Sequence, residues 1–167
     1  MTAAIYILFF LSGAAALGYQ LVWAKMFSVG LGHEMPSVLA VTFAFMGGMS
    51  LGSALLAKRI SQTPSPARCY GWLVIVIGVW GFASGFLIPR ANELALVLIG
   101  NDPSPWRHWT VAFLAPFVTL LPATAAMGAT FPAIERFLVA HSSDPHVVGI
   151  TYAINTAGAV AGTLIVA

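Results

Sequence analysis

Apolar residues run in long blocks along this chain, and polar residues collect in short breaks between the blocks. Five blocks reach the roughly 20 apolar residues that a helix needs to cross a bilayer. They cover about residues 5–31, 36–57, 70–88, 109–131 and 147–167. Open strands leave backbone groups unpaired in lipid, so each block is predicted to be a helix. The expected fold class is all-α, a polytopic transmembrane bundle of about five spanning helices in a single domain over residues 1–167.

The breaks are expected to be the loops. Gly32, His33 and Glu34 separate the first two helices, and residues 58–68 form the clearest loop, with Lys58, Arg59, Pro64, Pro66 and Arg68. Residues 89–108 read as a longer connection, in which 91–99 form a short interfacial helix. Residues 135–146 make the fourth break.

Composition narrows the class further. Seven Lys and Arg and five Asp and Glu make 7% charged residues, with 59% hydrophobic and a mean hydropathy of +0.91. An ordinary soluble domain carries about 25% charged residues. Disorder, a disulfide scaffold and an ordinary soluble enzyme are excluded, and the lipid bilayer is the expected surrounding. The net charge of +2 comes from scattered groups, so nucleic acid is not an expected partner. The lone cysteine, Cys69, excludes an intrachain disulfide and a CxxC pair.

Charge also orients the chain. Lys58, Arg59 and Arg68 share one loop, and Arg136 falls on the same side; Lys25, Arg90 and Arg107 fall on the other. The positive-inside rule then places the loop 58–68 and the N-terminus in the cytoplasm. Ala14-Ala15-Ala16 resembles a signal cleavage site, but no Lys or Arg precedes the apolar run. The first helix is therefore expected to be retained.

The second and fifth helices look alike. Val38 onward reads VLAVTFAFMGGMSLGSALLA and Val147 onward reads VVGITYAINTAGAVAGTLIV, 109 residues apart. Phe43 falls on Tyr152, and Gly48/Gly52 correspond to Gly158/Gly162 one residue out of register. A three-helix repeat is common among transporters. Such a repeat implies a sixth helix beyond Ala167.

Few residues suit chemistry. Three Gly-xxx-Gly pairs, Gly48/Gly52, Gly81/Gly85 and Gly158/Gly162, make strips where helices approach closely, inside the bundle or at a dimer face. Pro116 and Pro122 each remove a hydrogen bond from the fourth helix. They act as helix-breaking points beside a substrate path or as inert kinks. Gln20, Tyr152 and Asn155 are the polar groups expected within the membrane, paired helix to helix or lining a substrate path. Lys25 is expected to snorkel to the interface, and Glu135-Arg136 to form an interfacial ion pair. His33, His108, His141 and His146 all fall in breaks or at helix ends. None has metal-ligand spacing, so neither a metal nor a cofactor is expected.

Several segments together resemble a known family. Residues 9–23 (FFLSGAAALGYQLVW), 44–53 (AFMGGMSLGS), 127–132 (MGATFP) and 152–159 (YAINTAGA) are similar to the first, second, fourth and fifth helices of spermidine-synthase-like integral membrane proteins. These are bacterial chains with major-facilitator-like helices fused to an aminopropyltransferase-like domain. Residues 52–59 also resemble a degraded cytoplasmic loop motif of major facilitator transporters. The resemblance implies a bacterial inner-membrane protein, an incomplete six-helix half, and small-molecule transport or anchoring of a further domain. The family's Gly-rich S-adenosylmethionine turn and its acidic residues have no counterpart here, so enzymatic activity is not expected. The alternative is an accessory or scaffold subunit among other membrane subunits.

Overall fold

The computed structural model describes residues 2–31, 34–141 and 146–167; the side chains of 2–4, 34 and 141 lie outside the description. His33 and the side chains of Glu34 and His141 are therefore outside the described residues. Among the described residues five helices follow in order: α1 (Thr2–Leu31), α2 (Glu34–Ser61), α3 (Pro66–Ile99), α4 (Pro105–His141) and α5 (Val147–Val166). Among the described residues there is no strand. All five helices are long and apolar enough to cross a bilayer, which is the make-up of a multi-pass membrane protein.

α2, α3 and α4 all run further than their apolar blocks, α3 and α4 the most. Residues 89–108 are not a long connection, and 91–99 are not a separate interfacial helix. α3 continues through Pro89 to Ile99. Proline there deprives only the Gly85 carbonyl of its partner. Beyond it, Ala91 and Ala95 pack into the core, and Asn92 donates to the Met26 carbonyl at 2.9 Å. The turn to α4 needs Gly100, which takes a positive φ of 73° and returns its N–H to Leu96 O. Arg107 donates to the Ile99 carbonyl and closes this tip.

The loop at 58–68 is also shorter than expected. α2 runs to Ser61 because Ile60 is buried against Ala129 and Ala133. α3 opens on Pro66, whose missing N–H costs nothing at a first helical position. Arg136 donates to the Ile60 carbonyl at 2.9 Å, a cation at the end of α2. Glu135 is exposed, so the charge expected to pair with it serves a helix end instead.

Pro116 and Pro122 lie inside α4, where a helix break or an inert kink is expected. α4 runs unbroken from Pro105 to His141 through both, and through Pro132. Packing against α2 and α3 along its length holds it. The Trp80 indole on α3 donates to Thr119 O at 2.9 Å, next to the Val118 carbonyl that Pro122 leaves without its donor.

The helices assemble as two pairs with α3 alongside. α1 lies along α5, α2 lies along α4, and α3 packs on α4 and less extensively on α1. Consecutive spans alternate in direction, so each pair is parallel and the two pairs run oppositely. The core gathers Trp23, Phe27, Val41, Phe45, Ile88 and Leu120 from the first four helices. Within it Trp23 donates to Ser84 Oγ at 2.8 Å and stacks on Tyr19, with ring centroids 5.2 Å apart.

Candidate functional site

The site begins with glycine. A Cβ on Gly52 would collide with the Ala125 carbonyl, and one on Gly128 with the Met49 carbonyl. In the other pair, a Cβ on Gly158 would meet Phe10 O, and one on Gly13 would meet Asn155 O. Each pair is thus clasped twice, glycine to carbonyl in both directions. Such contact is open only to residues without a side chain. Gly48 against the Thr124 side chain and Gly162 against Ala14 O extend the clasps.

The two clasps correspond position by position. Gly52 and Gly158 are 106 residues apart, as are Met49 and Asn155. Ala125 and Phe10 are 115 apart, as are Gly128 and Gly13. The repeat in contacts therefore differs by three residues from the ungapped sequence offset of 109, close to one helical turn. The relation exchanges α1 with α4 and α2 with α5. Exchanged helices run oppositely, the relation found in an inverted repeat.

A cavity of about 640 Å³ opens where the clasped pairs meet. α1 contributes Ser12 and Gly13, α2 Ser50 and Ser53, α4 Gly128 and Thr130, and α5 Tyr152 and Asn155, with Phe9, Phe45, Met49, Met127 and Phe131 among the apolar walls. Equivalent positions of the repeat recur in the lining, Ser12 with Met127, Gly13 with Gly128 and Met49 with Asn155. Tyr152 leans on Phe131 edge to face, 5.8 Å between centroids.

Of the three polar residues proposed for a path, Tyr152 and Asn155 line this cavity and Gln20 does not. Gln20 donates to Thr42 Oγ1 at 3.2 Å and ties α1 to α2. Among the glycines, Gly81 faces the Tyr19 ring, whereas nothing lies within 4 Å of a Cβ on Gly85. Gly85 is exposed and packs against no helix, because α3 turns that face away from its neighbours. Pro116 is buried and Pro122 half-buried, and neither lines the cavity. Lys25 is exposed. His108 meets Trp109 edge to face.

Sequence reasoning missed Ser12, Ser50, Ser53 and Thr130. A signal was present, since Ser12 adjoins Gly13 and Ser53 adjoins Gly52. A small hydroxyl beside a clasp glycine sits at the edge of the contact, where the pair opens. Among the described residues no group of three His, Cys, Asp or Glu is placed to hold a metal. Neither a family model, nor a curated protein, nor a solved structure matches the chain.

Proposed function

We propose that this chain is a transporter-like membrane bundle that admits a small molecule between its two clasped pairs. The reading makes it akin to the membrane half of spermidine-synthase-like integral membrane proteins, in a bacterial cytoplasmic membrane with the N-terminus inside. One observation carries it: a cavity with six polar side chains in its lining is built from all four helices of the two clasped pairs, the place where inverted-repeat transporters hold their substrates. Lys58, Arg59, Arg68 and Arg136 at one end of the bundle support the orientation. Aminopropyl transfer is assigned to no residue of this chain, and its role is passage or anchoring of a partner domain, not catalysis.

Water access tests this reading. In a Cys69→Ser background, Ser53→Cys should react with N-ethylmaleimide in membranes at least tenfold faster than Leu164→Cys on the outer face of α5. Equal, negligible rates at both positions would remove the path.

A second reading, an accessory subunit, is favoured by α5. It packs on α1 and only sparsely on α4, leaving Val160, Leu164 and Ile165 outward. Mass measurement of the protein extracted in native nanodiscs separates the two, since an accessory subunit comes out in a discrete larger assembly.

A further inference from the structure

Resting on the reading of this cavity as a ligand site, we infer that its ligand is an uncharged molecule carrying hydroxyl or amide groups on an apolar frame. Six polar side chains line it, Ser12, Ser50, Ser53, Thr130, Tyr152 and Asn155, and all are neutral. No charged residue joins them among the described residues. Lys25, Arg90, Glu93 and Glu135 are exposed and absent from the lining.

The polar groups are not all consumed by the protein. Thr130 donates to Met127 O at 2.6 Å, and Ser12 shares a hydrogen bond with Tyr70. Ser50, Ser53, Tyr152 and Asn155 make no side-chain hydrogen bond among the described residues. Asn155 brings two donors and an acceptor, and it is the ninth residue of the 20 in α5, near mid-span. Amide and hydroxyl groups match neutral partners that both give and accept. Phe9, Phe45, Met49, Met127 and Phe131 offer the apolar part of a ligand its walls.

A charged ligand fits poorly. An ion entering this mainly apolar cavity gives up part of its hydration and needs a counter-charge in return, and here it would meet only dipoles. A polyamine would bring several ammonium groups to a wall without one carboxylate. The cavity therefore selects by neutrality.

The test uses three probes of one shape: benzamide, the benzamidinium cation and the benzoate anion. Each is titrated against the full chain in nanodiscs by saturation-transfer NMR, with empty nanodiscs subtracted. Benzamide should bind saturably and at least tenfold more tightly than either ion. Asn155→Leu should weaken it about fivefold, the worth of one net hydrogen bond. Ser53→Ala, a near-isosteric change, should weaken it twofold or more if Asn155→Leu does not fold. Tighter binding of an ion, lost in either variant, would overturn the neutral class while leaving the ligand cavity in place. No saturable binding of any probe would overturn the cavity reading itself.

Discussion

At Gly52 a hydrogen stands where a methyl group would overlap the Ala125 carbonyl, and Gly158 repeats the arrangement against Phe10. Neither contact can relax through a flexible side chain, because both obstacles are backbone. Gly52→Ala or Gly158→Ala should therefore cost at or above the 1–3 kcal/mol typical of overpacking, roughly the upper end. Gly85→Ala meets open space and should be neutral or slightly stabilising, since alanine favours the helix by about 1 kcal/mol. Thermal unfolding of the three variants in one detergent checks this; a Gly85 variant as damaged as the others would contradict the assignment. The sequence pattern Gly-xxx-Gly does not separate these cases. Gly81 and Gly85 share it, yet only Gly81 meets a neighbour, and which side of α3 faces inward depends on the other helices.

The same limit governs where helices end. Apolar blocks mark the part of a helix that lipid surrounds, and α3 and α4 extend well past theirs. At 1.5 Å per residue the 34 residues of α3 measure about 51 Å, against roughly 30 Å of hydrocarbon. The excess carries Arg90, Asn92 and Glu93; polarity and Pro89 together imitate a loop. What keeps it helical is tertiary, the Asn92 bond to Met26 O and the burial of Ala95 and Ile99. Spin labels at Trp72 and Val97, both exposed, should lie about 38 Å apart by electron paramagnetic resonance, the length of 25 helical residues. A distance under about 30 Å would mean the chain bends at Pro89. The existence and number of the helices, by contrast, were plain from the blocks, because a bilayer demands length before anything else.

For the assembled bundle, the proposed orientation gives opposite reactivity at its two ends. With Cys69→Ser as background, Gln62→Cys in the α2–α3 turn should be modified by an impermeant maleimide only from the cytoplasmic side. Asn101→Cys at the α3–α4 tip should react only from outside. The reverse pattern would invert the orientation. Fold class and the resemblance of α2 to α5 were legible in the sequence, but the cavity was only half so. Tyr152 and Asn155 stood out as polar groups in apolar surroundings, whereas Gln20, alike in that respect, is taken up by Thr42. Nothing along the chain distinguishes a half-buried amide that has found a partner from one that has not. The pairing of α1 with α5 also bears on synthesis. Phe10 and Gly158 touch across 148 residues of chain, so α1 meets α5 only after α2, α3 and α4 have been made. Its clasp face must wait in lipid while three other helices are made. A chain halted after α4 would lack one wall of the cavity and leave Gly13 facing acyl chains, so the cavity forms only once α5 has joined α1.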